Sequence, residues 1–255
     1  RPVWALRHLL AARGYQEVVN FAFVEEAWER DFCANENPIR LANPIASHLS
    51  VMRSSLIPGL VGTLAANRKR QIDRVRVFEV ARVFERKADG EPVRGFHQVM
   101  NIAALAAGQV VPEQWGERAR SVDFYDVKGD LEALFAPREL QFAPLSHPAL
   151  HPGRAAAVRL DGHMIGVLGE LHPVWVQRYE LGTAPVVFEV ALDAALAARV
   201  PAYAEISRMQ AVRRDLALVV GNEVPVERVL EVLREAAPAL VREIALFDLY
   251  QGKGI

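Results

Sequence analysis

Apolar residues recur at helical spacing in several stretches of the chain. The spacing predicts helices over Val3–Arg13, Glu25–Phe32, Leu56–Arg70 and Phe124–Phe135. The third of these follows Ser54 and Ser55, residue types that often cap a helix N-terminus. Pro173 predicts the start of one more short helix, because proline is tolerated in a first helical turn.

Apolar and β-branched runs predict strands between these helices. The runs cover Val18–Phe23, Val75–Val80, Arg82–Glu85, Val99–Ala107 and Val186–Val190. Two further runs, Ala155–Leu160 and His163–Gly169, flank Asp161-Gly162, which is a strong signal for a two-residue hairpin turn. Val99–Ala107 is nearly continuously apolar, as is typical of a strand covered on both faces.

The pattern restarts toward the C-terminal end of the chain. Strands are predicted over Val212–Val220 and Val241–Tyr250. Between them, an amphipathic helix begins at Pro225 and ends before Pro238. This order differs from the strand-rich pattern before it, so we place a domain boundary at about Ala202–Ser207.

Composition excludes several classes of protein. Apolar residues make up 51% and charged residues 24% of the 255 residues, the balance of a globular rather than a disordered chain. No apolar run approaches the roughly 18 residues of a membrane-spanning helix. The formal net charge of −1 means that any nucleic-acid binding must use local patches. The single cysteine, Cys33, excludes a disulfide framework and suits a reducing cytosol.

The first residue, Arg1, is not an initiator Met, and no signal-peptide pattern follows it. We therefore expect the sequence to be part of a longer protein. The usual catalytic motifs are missing: a phosphate-cradling glycine-rich loop, a dinucleotide fingerprint, G-x-S-x-G and H-E-x-x-H.

Three weaker candidates for chemistry have structural explanations. His147 and His151 are four residues apart, but the prolines that follow them oppose a shared helical face, so loop histidines are favoured over a metal site. Cys33 has no activating neighbour in sequence and is interpreted as a structural thiol.

An acidic cluster at the predicted helix start offers a magnesium site as one interpretation. It comprises Asp123, Asp126 and Asp130. Capping and compensation of the helix dipole are the favoured alternative, because acidic residues stabilise a helix N-terminus.

The order of several segments is more specific than any single residue. The segments are Gly14–Glu17, Asn43–Ile45, Met52–Leu60, Phe78–Phe84, Asp123–Gly129, His151–Arg154, Gly166–Pro173, Arg214–Ala217 and Phe247–Gly252. In this order they resemble the beta subunit of bacterial phenylalanyl-tRNA synthetase over essentially the whole chain.

The resemblance implies an α+β fold. Residues 1–201 would form a class II aminoacyl-tRNA synthetase-like antiparallel sheet flanked by helices. Residues 207–255 would form a truncated ferredoxin-like β-α-β unit, the start of an anticodon-binding domain. In that fold a third strand lies between the first two, so we expect the second strand to pair with another sheet edge or to fray, and favour pairing.

The resemblance also implies that this part of the subunit is non-catalytic. A working class II core holds the ATP phosphate with an F-R-x-E strand motif, whereas this strand reads Phe78-Glu79-Val80-Ala81-Arg82. The implied partners are the catalytic alpha subunit and tRNA in a cytoplasmic enzyme, with no membrane. ATP and Mg²⁺ would serve the full enzyme, and no cofactor, metal or catalytic residue is expected within this chain.

Two groups of contact residues follow from the resemblance. The subunit-interface group is Leu56, Ile57, Leu60, Leu64, Asn67 and Arg68. The alternative for the apolar stripe is an internal face against the chain's own sheet. The tRNA-binding group is Arg213, Arg214 and Tyr250.

Two other functions stay open. One is a free-standing adenylate- or amide-forming ligase on a class II-like core, against which the missing phosphate-binding arginine argues. The other is a regulatory RNA-binding module that uses Arg68-Lys69-Arg70 with Arg74 and Arg76, for which a solvated helix end is the favoured alternative.

Overall fold

The computed structural model describes residues 2–197, 203, 205 and 210–250. The chain divides into two compact units, Arg1–Val200 and Pro201–Ile255. The boundary predicted from sequence, at 202–207, lies almost wholly outside the described residues.

The described residues of the first unit form six helices and ten strands. The helices are α1 Val3–Ala12, α2 Glu26–Cys33, α3 Ile57–Arg68, α4 Phe124–Phe135, α5 Pro173–Arg178 and α6 Leu192–Leu196. The strands are β1 Gln16–Glu17, β2 Phe23–Val24, β3 Val51–Met52, β4 Val75–Lys87, β5 Pro92–Val93, β6 Gly95–Ala107, β7 Gln141–Pro144, β8 Leu150–Leu160, β9 His163–Leu171 and β10 Val186–Ala191. The five helices predicted in this unit are therefore confirmed to within two residues at each end.

One large sheet organises the unit, with strand order β1-β4-β6-β10-β9-β8-β7 and with β5 paired to β6. All its neighbours are antiparallel except β1, which runs parallel to β4. β4 and β6 pair along their whole length, from Val75 opposite Ala107 to Lys87 opposite Gly95. The prediction of two separate strands in the β4 region is wrong, because Ala81 pairs with Asn101 and the ladder continues through it.

Helices cover both faces of this sheet. On one face, α1, α4 and α6 bury residues such as Leu10 and Leu131 against Phe78 and Phe188. On the other face, α2, α3 and α5 form a second core; its α3 and strand members include Leu60, Leu64, Val77, Leu105 and Val187. Side chains alternate between faces along each strand, so both cores draw on the same strands. Each fully buried Leu or Phe contributes roughly 1.5–3 kcal/mol relative to exposure.

Two local features follow directly from the sequence. Asp161 and Gly162 have φ of 50° and 80°, which is the geometry of the tight hairpin turn predicted between β8 and β9. The Asp123 side chain accepts hydrogen bonds from the backbone N–H groups of Tyr125 and Asp126, and the Asp126 side chain accepts from Asp123 N. This capping box fixes the start of α4.

The strand predicted over Val18–Phe23 is wrong. Only Gln16–Glu17 and Phe23–Val24 are strands here; Val18 N still donates to Phe78 O of β4 at 2.9 Å, and no strand is assigned over residues 18–22. Asn20 turns inward there and donates from its Nδ2 to Glu79 Oε2 at 2.8 Å. The Asn20 backbone N–H also donates to Glu79 Oε1 at 3.2 Å, so a side chain takes the place of a strand neighbour at this residue, and the Phe21 side chain that follows is exposed.

In the second unit, the predicted amphipathic helix is confirmed as α7, Val226–Ala236. No strand is assigned over Val212–Val220 or Val241–Tyr250 among the described residues, so the two predicted strands are wrong for this chain by itself, and pairing of the second one with another chain stays a prediction. A strand needs a hydrogen-bonded neighbouring strand, and none is assigned to either segment within the part of the chain that the structure describes. Their apolar side chains, including Leu216 and Phe247, are correspondingly exposed.

Candidate functional site

The segment Arg53-Ser54-Ser55 precedes α3 and binds three buried carboxylates, each on a different element. Arg53 Nη1 lies 2.9 Å from Oε1 of Glu79 on β4, and both side chains are at most 4% exposed. The Arg53 guanidinium also donates to the carbonyls of Phe21 and Arg82. This pair joins the segment to the centre of the sheet.

The second carboxylate is Glu29 on α2, which is fully buried. It accepts from Ser54 N at 2.8 Å, from Ser54 Oγ at 2.6 Å and from Asn35 Nδ2 at 2.7 Å. The sequence prediction that Ser54 caps α3 is wrong, because its hydroxyl donates to α2 instead.

The third carboxylate is Glu189 on β10. Its Oε2 accepts from Ser55 Oγ at 2.6 Å and from Leu56 N at 3.1 Å, while its Oε1 accepts from Asn101 Nδ2 at 2.7 Å. Burial raises the pKa of Glu189, and these donors partly offset that effect. The residue at the N-cap position is Leu56, whose side chain cannot cap the helix. The Ser55 hydroxyl accepts from Ile57 N. Glu189 and Ser55 together therefore bind the backbone N–H groups of Leu56 and Ile57 at the start of α3.

Glu79 and Glu189 share one face of the sheet. Both pair in register with Ala103 of β6, from opposite sides. Arg82 is three residues beyond Glu79 on β4, so strand alternation places it on the opposite face. A nucleoside triphosphate placed on the α3 side would meet two buried carboxylates and the packed helix layer, so this face of the sheet does not fit ATP.

The predicted interface stripe lies in the chain's own core. Its four apolar members, Leu56, Ile57, Leu60 and Leu64, are 0–1% exposed. The structure therefore supports the internal-face interpretation for this stripe. The outward side of α3 carries the exposed residue Ala66, and the exposed Lys69 and Arg70 follow its C-terminal end.

The two polar residues of the interface group have partners within the unit. Asn67 Nδ2 donates to Thr63 O at 2.8 Å. Arg68 bonds Asp73 at 2.7 Å and Thr183 Oγ1 at 2.9 Å. The two Arg68 bonds hold the C-terminal turn of α3 against the rest of the unit, whereas the Asn67 bond lies within the helix.

The basic cluster considered for RNA binding is partly internal. Arg76 is ion-paired to Asp130 and its guanidinium lies 4.6 Å from the Tyr15 ring centroid. Asp130 also accepts hydrogen bonds from the Arg13 guanidinium and from the Tyr15 hydroxyl. Burial raises the pKa of Tyr15, and the negative charge of Asp130 adds to this effect. Asp130 is thus part of an ion-pair network with Arg13 and Arg76, whereas Asp123 and Asp126 form the capping box of α4.

The remaining candidates have local partners. His147 Nδ1 accepts from Ala149 N, and His151 Nδ1 accepts from Gly153 N. His151 lies at the irregular start of β8 rather than in a loop, which corrects the sequence prediction. Cys33 is half-buried, and burial raises the pKa of its thiol. Among the described residues, no group of three His, Cys, Asp or Glu side chains is placed to hold a metal ion.

The predicted tRNA-binding residues lie in the second unit. The Arg213 guanidinium is 5.4 Å from the Phe247 ring centroid and 3.5 Å from Asp215. Arg214 donates to Arg213 O, and Tyr250 is exposed. The described helices include none long and apolar enough to cross a bilayer.

Sequence reasoning missed the three anchoring glutamates. A usable signal exists for two of them, since Glu189 interrupts an otherwise apolar strand and Glu79 interrupts the apolar run from Val77 to Ala81. Charged residues are almost never fully buried unless paired, so such a position predicts a buried polar contact.

Comparisons with known proteins agree with this architecture. Residues 3–192 match the phenylalanyl tRNA synthetase beta chain CLM domain, and residues 207–255 match the ferredoxin-fold anticodon binding domain. The chain is 70% identical over 255 residues to the phenylalanine–tRNA ligase beta subunit of Aromatoleum aromaticum and 57% identical over 258 residues to that of Dechloromonas aromatica. All of this chain is covered in both cases, but it spans only 32% of the length of each relative.

A solved structure shares the fold. It is PylSc, a pyrrolysyl tRNA synthetase from Desulfitobacterium hafniense, with a TM-score of 0.52 and 15% identity over 76% of this chain and 65% of that one. The class II synthetase-like α+β fold predicted from the sequence is therefore confirmed.

Proposed function

Because the chain belongs to the phenylalanyl-tRNA synthetase beta-chain family, we propose that it is the structural and assembly part of a phenylalanine–tRNA ligase beta subunit. In this role it supports the alpha subunit, which attaches phenylalanine to its tRNA in the cytoplasm with ATP and Mg²⁺. The core domain comprises residues 1–201. Residues 207–255 belong to the anticodon-binding domain and contribute to tRNA binding in the full-length subunit.

The observation that carries the non-catalytic assignment is the closed sheet face. Adenylate formation needs cations that offset the charge on the phosphates. On this face, Glu79 and Glu189 are buried and fully engaged in holding the segment before α3. The same atoms that would have to make room for a nucleotide instead stabilise the position of α3.

The buried stripe supports assembly indirectly. Its four apolar residues fix α3 on the sheet, and Arg68 fixes the last turn through Asp73 and Thr183. We assign the contact with the alpha subunit to the opposite side of the helix, around Ala66. For the second unit, Arg213, Arg214 and Tyr250 are the proposed tRNA contacts, since they are exposed and combine cations with an aromatic ring.

The test separates catalysis from assembly. The full-length beta subunit that carries this chain, the alpha subunit and the mixture are each assayed for phenylalanine-dependent ATP–pyrophosphate exchange. We expect exchange to require the alpha subunit. Exchange by a beta preparation free of alpha would overturn the non-catalytic assignment.

Assembly is tested by a matched pair of exposed alanines on helices. Ala66→Arg on α3 should reduce co-purification with the alpha subunit, because a long cation obstructs a packed contact. Ala11→Arg on α1 makes the same change in the other helix layer and should leave co-purification intact. Equal co-purification of both folded variants would place the contact elsewhere.

A further inference from the structure

We draw no further inference here: the strongest candidate, the apolar patch at the exposed edge of β2, where the Phe21 and Phe23 rings stack with their centroids 5.4 Å apart, carries none because nothing in the described part of the structure shows what covers it.

Discussion

Replacing Arg53 with Met should be among the most destabilising single changes in the first unit. Arg53 and Glu79 are 2.9 Å apart and at most 4% exposed, so the substitution leaves a buried carboxylate without its counter-charge. Breaking such a pair costs about 3–5 kcal/mol, a large part of the roughly 5–15 kcal/mol that stabilises a typical domain. Glu79 keeps its two hydrogen bonds from Asn20, whereas the carbonyls of Phe21 and Arg82 lose their donor, so we expect a loss within this range.

The double variant Arg53→Met/Glu79→Met tests the cause. Replacing both charges with apolar groups removes the unpaired charge. The Asn20 donors and the carbonyls of Phe21 and Arg82 still lose a partner, at about 1–3 kcal/mol for each group that stays buried and unsatisfied. We therefore expect the double variant to be more stable than the sum of the single effects predicts. Arg154→Met is the control. The Arg154 side chain is 59% exposed, so its ion pair with Glu170 should contribute at most about 1 kcal/mol.

Urea unfolding followed by far-ultraviolet circular dichroism gives the free energy of each variant. A loss below 1 kcal/mol for Arg53→Met would refute the reasoning, since a buried carboxylate cannot lose its cation so cheaply. Additivity in the double variant would show that Arg53 and Glu79 do not interact, whatever their distance.

Further predictions concern packing, assembly and pH. Gly166→Ala should destabilise the sheet, because the new Cβ would lie 2.1 Å from a backbone oxygen of β10. Gly129→Ala should stabilise the unit by up to about 1 kcal/mol, because the added methyl group enters open space and alanine favours the helix α4. Thermal unfolding of the two variants compares these effects. Leu60→Asp should unfold the unit or abolish assembly, because a carboxylate would be buried without a partner, while Arg70→Ala should keep co-purification with the alpha subunit. A Leu60→Asp variant that folds and assembles would contradict the burial of the α3 stripe. Burial lowers the pKa of His147, so the native state binds fewer protons than the unfolded chain and stability falls as pH drops below about 6.5. His147→Asn should flatten this part of the stability–pH curve, and an unchanged slope would assign the loss to other groups.

The elements that could be predicted from sequence are those that local pattern determines. The apolar stripes of α3 and α4 have helical period because one side of each helix is buried. The turn at Asp161-Gly162 needs positive φ at both positions, which these residue types favour. In each case the sequence pattern that identifies the element lies within a few residues along the chain, even where the contacts that bury it are distant.

The candidate site could not be predicted in the same way, because its bonds are non-local. Ser55 and Glu189 are 134 positions apart, and Arg53 and Glu79 are 26 apart. A serine before a helix is equally compatible with a cap and with a long-range anchor, and only the tertiary structure distinguishes them. The strand predicted over Val212–Val220 fails for a related reason, since periodicity indicates a suitable strand without supplying its neighbour.

The anchors explain how a sheet that resembles a catalytic core can serve assembly. At its N-terminal end α3 is tied to β4, β10 and α2 through Glu79, Glu189 and Glu29, and at its C-terminal end Arg68 ties it to Thr183. A helix fixed at both ends over a packed apolar stripe cannot shift without breaking several buried bonds at once. A partner that contacts the outward side of α3 would thus meet a surface that moves with the central strands. The buried carboxylates that make the face unsuitable for a nucleotide are the same groups that give the helix this rigidity.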